Sequence, residues 1–517
     1  MLADDRLHTD YGSLLDMNLS RREFCQAGAA AGMATPATAA AGQRPNILFI
    51  QADDLRFDDL SCIGNPVIRT PNLDKLAEEG TRFRNAFVTT AICCCSRACV
   101  LTGQHMRRNG IEDFERPLLA SQFAETYPAL LRKAGYRTAF LGKYAIGTPK
   151  PELRELSLPS HQFDHWLGFP QSIDFRQVVD GKVRHLTPLM TESAIGFLRS
   201  TPANQPFCMS LNFKEPHGPW NYFDPDRPNR YKDVPVPAPE THTRADFDSQ
   251  PEFLRKSLNG YASGQWPADA EQKRLETTRT CYHLVAGVDE AVGKVMAALR
   301  ELGRDGNTVV LFTSDNGSFQ GAHGFYGKWI MYEESIRVPL IIRDPRLPAN
   351  LRGKLRDEMA LNIDLAPTML ALAGVTAPDR MQGASLKPLV EGRTVNWRED
   401  WFYEHTYDTF PNRLPIPWTE GVRTTRWKYT ATRELRPCMN NCSIWRPIPS
   451  SATISPRSLS IKRGWPRCER VASSWAAGPH ETHSSTGLWR PLTSRRVCEI
   501  LAPSRAAIGR LESEVET

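Results

Sequence analysis

Two short apolar runs, each followed closely by acidic or amide residues, set the strongest limits on the fold of this chain. The run Asn46–Gln51 precedes Asp53–Asp54, and the run Thr308–Thr313 precedes Asp315–Asn316. Both runs contain β-branched residues and lack a helical period, which predicts two buried strands. Buried strands of this kind are typical of a parallel sheet with helices on both faces.

Helical patterns alternate with the predicted strands. Thr70 and Gly80 enclose a short helix, and a helix at Pro128–Ala134 leads into a strand at Arg137–Leu141. Apolar residues over Leu284–Leu302 recur with a period of about 3.6, which predicts a long helix. The alternation predicts an α/β fold with a mostly parallel sheet. Ligands of such folds bind beyond the carboxyl ends of the strands.

The composition excludes several classes of protein. The chain has 517 residues, 41% hydrophobic and 24% charged, so a disordered or coiled-coil chain is excluded. The net charge of +6 resides in residues 430–517, where 12 Arg and one Lys face seven Glu. The remainder is neutral, which argues against a nucleic-acid partner or an anionic membrane surface. Beyond the N-terminal region, no apolar stretch reaches the roughly 18 residues that a membrane span requires.

The N-terminal region has the pattern of an export signal. Arg21 and Arg22 precede a weakly apolar run of Ala and Gly over Ala27–Gly42. Paired arginines, a mild apolar region and small residues are typical of a bacterial twin-arginine signal. The alternative is a flexible Ala- and Gly-rich arm. We therefore expect residues 1–42 to be a leader and signal that the twin-arginine translocase recognises, with the protein exported to the periplasm or the exterior.

Several polar groups near predicted strand ends point to chemistry when they are taken together. Singly, an Asp-Asp pair, a cysteine run or a histidine in a Pro-rich loop is more often structural than functional. Carboxylate and amide oxygens suit Ca²⁺ or Mg²⁺, and clustered cations suit an anionic group. The combination predicts metal-assisted cleavage of an oxyanion ester. The candidates are Asp53, Asp54, Asp315 and Asn316 for the metal, Arg97, Lys143, His217 and Lys328 for the anion, and Cys93 and His323 beside them.

Residues 45–429 resemble the type I sulfatases of the alkaline phosphatase-like superfamily. The matching motifs occur in the family's order: NILFIQADD at 46–54, CCCSRACVLTG at 93–103, GKY at 142–144, PHGP at 216–219, SDNG at 314–317, GKW at 327–329, DLAPT at 364–368 and GVRTTRWKY at 421–429. The resemblance implies an alkaline phosphatase-like catalytic domain over 43–380 with a mixed, mostly parallel sheet. It also implies the start of a small C-terminal subdomain over 381–429.

The resemblance also implies a reaction and a role for each candidate. Cys93 is the residue that a formylglycine-generating enzyme would oxidise to formylglycine. The hydrated aldehyde would attack the sulfur of a sulfate ester, which suits a sulfated carbohydrate or an aryl sulfate. The implied metal is Ca²⁺, with Mg²⁺ as the alternative. The implied ligands are Asp53, Asp54, Cys93, Asp315 and Asn316, and the implied catalytic or sulfate-binding residues are Arg97, Lys143, His217, His323 and Lys328.

Two positions depart from the family's pattern. Cys95 occupies the Pro or Ala position of the modification motif, and Ala145 occupies the position of a histidine that usually partners the formylglycine. These departures leave two alternatives open. One is a catalytically weak or inactive relative that binds sulfated glycans, and the other is a phosphodiesterase or phosphonate hydrolase of the same superfamily.

Residues 430–517 differ in composition from the rest of the chain. They contain no Asp, Phe or Tyr and show no sustained hydrophobic period. A nucleotide sequence that encodes Met439–Pro449 (MNNCSIWRPIP) can also be read one base earlier as YEQLFDLAADP, which resembles a C-terminal phrase of the family. We therefore expect a shifted reading frame after Tyr429 and a tail without fixed structure. The alternative is a genuine basic tail that binds polyanions.

Overall fold

The computed structural model describes residues 44–147, 158–171, 173–218, 227–261, 263–406, 416–433 and 439–444. The predicted signal at residues 1–42 and the part of the tail beyond residue 444 lie outside the described residues. The strands are β1 Asn46–Asp53, β2 Thr81–Phe83, β3 Ala86–Phe87, β4 Arg137–Lys143, β5 His165–Phe169, β6 Arg176–Val179, β7 Lys182–His185, β8 Phe207–Pro216, β9 Thr308–Ser314, β10 Leu340–Arg343, β11 Lys354–Arg356, β12 Ala360–Leu361, β13 Asp400–His405, β14 Trp418–Thr424, β15 Trp427–Arg433 and β16 Met439–Ile444. The helices are α1 Pro71–Glu79, α2 Cys93–Thr102, α3 Met106–Asn109, α4 Ala120–Phe123, α5 Tyr127–Lys133, α6 Leu186–Ser200, α7 Arg244–Ser249, α8 Glu252–Arg255, α9 Ala270–Glu301, α10 Glu333–Ile336, α11 Leu365–Leu372 and α12 Lys387–Val390.

An eight-stranded sheet forms the centre of the larger part of the chain. Its order is β11-β2-β10-β9-β1-β8-β4-β5, and β10 runs antiparallel to both of its neighbours. The other pairings are parallel, which confirms the predicted mixed, mostly parallel sheet. The two runs that predicted strands form β1 and β9, which lie side by side with Ala52 opposite Ser314.

Alternate residues of the central strands pack against helices on opposite faces of the sheet. Leu48 and Ile50 of β1 belong to a core that also contains residues of α1, α6 and α9. Phe49, between them, points the other way, and its ring meets Tyr127 of α5 at a centroid distance of 6.1 Å. This alternation is the two-sided burial expected of a parallel sheet. Among the residues that the structure describes, no helix is long and apolar enough to cross a membrane.

Two compact units divide the chain. Among the described residues, the larger unit comprises those up to Val395 together with Thr406 and Ile416, and the smaller unit comprises Asn396–His405 and the described residues from Pro417 to Ile444. Within the smaller unit, β13, β14, β15 and β16 form an antiparallel sheet in that order. In the described part of the tail, β15 continues to Arg433, and Met439–Ile444 adds an edge strand. Such pairing uses backbone groups that every sequence carries.

Candidate active site

Four neighbouring parallel strands bring the predicted residues to one edge of the sheet. In the order β9-β1-β8-β4, the strands lead to Asp315 and Asn316, to Asp53 and Asp54, to His217 and to Lys143. The edge is the carboxyl end of each strand, where α/β folds bind ligands. Distant parts of the chain meet there because parallel strands align their ends.

Hydrogen bonds tie the ends of β1 and β9 together. The backbone N–H of Asp54 donates to Oδ1 of Asp315 at 3.1 Å, and Nδ2 of Asn316 donates to Oδ1 of Asp54 at 2.6 Å. Asp54 has a positive φ of 67°, a conformation that is costly outside glycine. Its backbone is therefore held in place by the neighbouring strand, and three carboxylates and one amide share a small volume.

Cys93 is the first residue of α2, and its side chain points into this cluster. The Cys93 thiol donates to Oδ1 of Asp53 at 3.2 Å, and Nζ of Lys328 donates to Sγ of Cys93 at 2.9 Å. Burial, with the charge of Asp53 adding to it, raises the pKa of the Cys93 thiol well above its ordinary value. The unmodified cysteine is therefore a protonated thiol rather than a reactive thiolate.

Polar contacts hold the loop that leads into α2. Asn362 accepts a hydrogen bond from the Thr89 backbone N–H at 3.1 Å and donates to the Ser96 hydroxyl at 2.9 Å. Every residue of α2 is buried, and the helix ends at Gly103 with a φ of 65°, as expected of a left-handed C-cap. Cys95 is fully buried, with its Sγ 3.6 Å from Sγ of Cys94. The Cys95 thiol therefore lies in the protein interior.

Three cations pair with three carboxylates of the cluster. Lys143 pairs with Asp53, and Lys328 pairs with Asp54. Arg97 binds Oδ2 of Asp315 through Nε at 2.9 Å and Nη2 at 2.8 Å. Its Nη1 also donates to the carbonyl of Lys143 at 2.7 Å, which joins α2 to the end of β4.

The charges in the cluster perturb one another strongly. Burial alone would raise the pKa of Asp53, but Lys143 and the other nearby cations lower it well below its usual range. Burial and the neighbouring Asp53 raise the pKa of Asp315 to about 7. Burial would lower the pKa values of Lys143 and Lys328, but the carboxylates facing them raise both. Groups of both signs are thus concentrated in one buried volume, as is typical of functional sites.

His217 enters the cluster from the end of β8 as a neutral ring. Its Nδ1 lies 2.7 Å from the carbonyl oxygen of Gly218, and its Nε2 lies 3.8 Å from Oδ2 of Asp54. Burial and the charge of Lys143 lower the pKa of His217 to about 4. Because the Gly218 carbonyl can only accept, the Nδ1 atom carries the proton and Nε2 offers a lone pair to the cluster.

The oxygen atoms of the cluster fit a hard divalent cation. Ligand atoms of Asp53, Asp54, Cys93 and His217 all lie within 4.8 Å of one another. Oδ1 of Asn316 is buried and has no hydrogen-bond partner among the described residues. An orphaned buried acceptor beside several carboxylates is the arrangement expected of a Ca²⁺ or Mg²⁺ site.

His323 lies in ion pairs of its own, separate from the residue contacts of this cluster. Its Nδ1 is 2.8 Å from Oδ2 of Asp246, and its Nε2 is 3.5 Å from Oε1 of Glu334. Burial would lower the pKa of His323, but Glu334 and Asp246 raise it to about 9. The ring is thus a charged link between α7 and α10, and its role in substrate binding stays a prediction.

Ala145, the position at which the family resemblance implies a histidine, is fully buried and has a positive φ of 63°. Sequence motifs also missed polar residues that hold the segments around the site. Arg56 donates to the carbonyl oxygen of Phe319, Asn259 donates to those of Tyr326 and Lys328, and Asn362 binds the segment that carries Cys93. Asp246 and Glu334 pair with His323. They belong to no motif, and polar residues in loop-like segments give no signal of burial before the fold is known.

Comparisons with known proteins agree with this geometry. A family model described as "Sulfatase" matches residues 45–375, and one described as "N-sulphoglucosamine sulphohydrolase, C-terminal" matches residues 321–434. An N-acetylglucosamine-6-O-sulfatase of Bacteroides thetaiotaomicron is 33% identical over 451 residues, covering 75% of this chain and 78% of that protein. An arylsulfatase of Clostridium perfringens is 30% identical over 417 residues, covering 72% of this chain and 84% of that protein.

A solved structure shares the fold. BT4656, in complex with its substrate D-glucosamine-2-N,6-O-disulfate, superposes with a TM-score of 0.67 and 29% identity, covering 78% of this chain and 91% of that chain.

Proposed function

We propose a substrate for this chain, which belongs to the sulfatase family and is a sulfuric ester hydrolase. The substrate would be a sulfated carbohydrate, and the reaction would remove 6-O-sulfate from a glucosamine unit. Two comparisons support this substrate. A relative is named an N-acetylglucosamine-6-O-sulfatase, and the solved structure of BT4656 contains a 6-O-sulfated glucosamine as its substrate. The observation that carries the proposal is the convergence of Cys93 and three buried cations at the ends of four adjacent strands.

The oxygen atoms of Asp53, Asp54, Asp315 and Asn316 would hold Ca²⁺, with Mg²⁺ as the alternative. The bound ion would supply positive charge to sulfate oxygens and to the nucleophile. Its positive charge would also offset the burial and the repulsion from Asp53 that together raise the pKa of Asp315 to about 7 in the chain itself. The orphaned Asn316 oxygen supports this ligand set.

We propose that Cys93 is converted to formylglycine by a formylglycine-generating enzyme. As a buried, protonated thiol, Cys93 is a poor nucleophile and a soft partner for a hard ion. The hydrated aldehyde would supply an oxygen nucleophile instead. The buried Cys95 is close to Ala in size, which supports tolerance of the altered motif.

The surrounding side chains would bind and orient the sulfate group. Lys143 and Lys328 would place positive charge on sulfate oxygens, and Lys328 would also donate a proton to the leaving oxygen. His217, neutral and with Nε2 unprotonated, would accept a proton or a hydrogen bond at that atom. Arg97 would fix Asp315 and the end of β4 in place through two hydrogen bonds and its ion pair with Asp315.

We also retain the proposals on export and on the tail. A twin-arginine signal at residues 1–42 would send the folded, modified protein to the periplasm or exterior. A frame slip after Tyr429 would explain the composition of the tail. The match of the C-terminal family model to residues 321–434 supports a change of sequence character close to that point.

Sulfate release from N-acetylglucosamine-6-sulfate, with 4-nitrophenyl sulfate as the comparison ester, tests the substrate proposal. Protein co-expressed with a formylglycine-generating enzyme should hydrolyse the sugar ester with the higher kcat/KM. Lys328→Ala should lower kcat by roughly a hundredfold or more and weaken binding of the sulfated sugar by a smaller factor. Faster hydrolysis of the aryl ester would contradict the carbohydrate substrate. Binding of the sugar without turnover by the wild type would favour the glycan-binding alternative.

A further inference from the structure

Lys328 reaches the active site from an irregular loop. In the described stretch 317–329, the structure has neither an α-helix nor a strand, and its one regular turn is a 3-10 turn at Ala322–Gly324. Three non-glycine residues of this stretch, Gln320, His323 and Trp329, have positive φ angles of 47°, 57° and 82°. A backbone in such conformations keeps its shape only where the surrounding structure imposes it. The precise placement of the Lys328 ammonium therefore depends on contacts from outside the loop.

Asn259 makes such contacts at the lysine itself. Its Nδ2 donates hydrogen bonds to the carbonyl oxygens of Tyr326 at 2.9 Å and Lys328 at 2.6 Å. In the other direction, the Tyr326 backbone N–H donates to the Asn259 carbonyl at 2.8 Å. The Asn259 side chain is fully buried. Three hydrogen bonds therefore fix the residues on either side of Gly327, one of which is Lys328.

The segment that carries Asn259 is itself rigidly held. The next residue, Gly260, sits so close to Arg255 that a Cβ would lie 2.0 Å from the Arg255 carbonyl oxygen. Phe247 and Leu254 pack with Phe319 and Phe325 of the loop in a small separate core. The segment from Phe247 to Gly260, which carries Asn259, is therefore well packed.

Further contacts hold the earlier part of the loop 317–329 against residues that precede this segment. Nδ1 of His242 lies 2.7 Å from the carbonyl oxygen of Gly321, and His323 pairs with Asp246. These contacts act several residues before Lys328. Asn259 differs from them because it binds the backbone of the lysine whose ammonium contacts Asp54 and Cys93.

We propose that Asn259 is a positioning residue for Lys328, holding its backbone so that the ammonium group is aimed at the reacting atoms. The inference rests on the proposed role of Lys328 as proton donor to the leaving oxygen. A displaced donor costs most where the leaving group is poor, because a good leaving group departs without protonation. Loss of Asn259 should therefore change the dependence of the rate on the leaving group, which a general loss of stability would not do.

The experiment compares kcat/KM for Asn259→Ala over a series of esters from 4-nitrophenyl sulfate to N-acetylglucosamine-6-sulfate. We expect a loss of about tenfold to a hundredfold in kcat/KM for the sugar ester and less than about threefold for the 4-nitrophenyl ester, since a misplacement near 1 Å costs up to about a hundredfold. Lys328→Ala should give the same trend with larger losses. Asn259→Ser, which keeps one donor, should fall between Asn259→Ala and the wild type, and it carries the test if Asn259→Ala does not fold.

Asn46→Ala provides the matched control. Asn46 is a buried asparagine at the opposite end of β1, where it donates to the Thr308 hydroxyl at 3.2 Å and accepts from the Phe207 N–H at 3.1 Å. Its loss should destabilise the fold and leave the leaving-group trend unchanged. An equal loss across all esters for Asn259→Ala, or the same trend for Asn46→Ala, would overturn the proposal.

A second measurement separates this inference from the proposed function. Acetylation of Lys328 by a water-soluble acylating reagent, followed by peptide mass, needs no turnover. Lys328 is 5% exposed in the wild type, so it should react slowly, and Asn259→Ala should accelerate its acetylation by about tenfold as the loop loosens. Suppose that no sulfate ester is hydrolysed, but that Lys328 is acetylated faster in Asn259→Ala and not in Asn46→Ala. The positioning role of Asn259 would then be supported, and the proposed substrate would be refuted. Unchanged acetylation in Asn259→Ala would refute the positioning role.

Discussion

Replacing His323 with glutamine should remove a pH-dependent contribution to stability. The His323 side chain is 3% exposed and lies between the carboxylates of Asp246 and Glu334, at 2.8 Å and 3.5 Å. Their charges overcome the effect of burial and raise the pKa of His323 from 6.5 to about 9. The partner shift agrees, because burial would raise the pKa of Glu334 but His323 lowers it to about 2.

The sign and size of the effect follow from linkage. A pKa raised on folding stabilises the folded state fully below the unfolded value of 6.5, and the contribution is lost as the pH rises through about 9. The difference of about two and a half units corresponds to about 3 kcal/mol, as an upper value. The two partner shifts describe one interaction, so this contribution is counted once. His323→Gln should therefore cost about 3 kcal/mol more at pH 6 than at pH 10.

Urea denaturation of both proteins between pH 6 and pH 10 measures this difference. The quantity of interest is the difference in unfolding free energy between wild type and variant, because groups that do not interact with His323 titrate equally in both. His161→Gln, at an exposed histidine, controls for the loss of an imidazole. A difference between wild type and His323→Gln that stays constant from pH 6 to pH 10 would refute the assignment of a charged His323.

Three further changes have defined outcomes. Arg97→Met should cost about 3–5 kcal/mol in unfolding free energy, measured in urea, because it leaves the buried Asp315 unpaired; a loss under about 1 kcal/mol would contradict the pairing. Gly142→Ala should abolish recovery of folded protein, since a Cβ would lie 1.8 Å from the Asn212 carbonyl oxygen at a φ of 96°; near-normal yield and thermal stability would contradict this geometry. Asn316→Ala should weaken Ca²⁺ binding by on the order of tenfold in calorimetry; an unchanged affinity would remove Asn316 from the ligand set.

The sequence predicted the parts of the site that follow strands. A buried apolar run followed at once by acidic residues predicts a strand. It also predicts the edge of the sheet at which the acidic residues lie. Asp54 and Asp315 therefore lie close together, although many residues separate them in the chain. The end of β4 behaves in the same way, since Lys143 is the last residue of its strand and pairs with Asp53.

The contacts made by loops could not be predicted in this way. Asn259 and Asp246 lie in a segment without a motif, and each acts through a partner in the distant loop 317–329. Their partners depend on how this segment packs against the irregular loop 317–329, which neither periodicity nor turn chemistry encodes. His323 is an example, because its place in the sequence near Lys328 predicts a pocket residue but gives no sign of its contacts with Asp246 and Glu334.

The mass of the tryptic peptide Asn85–Arg97 tests whether the proposed nucleophile is formed from Cys93. The protein would be expressed with a formylglycine-generating enzyme, and fragmentation would locate any change among the three adjacent cysteines. We predict that Cys93 alone carries an aldehyde oxygen in place of its thiol, while Cys94 and Cys95 stay thiols. Three intact thiols in folded protein that nevertheless releases sulfate would contradict the account, because the nucleophile would have to be another group.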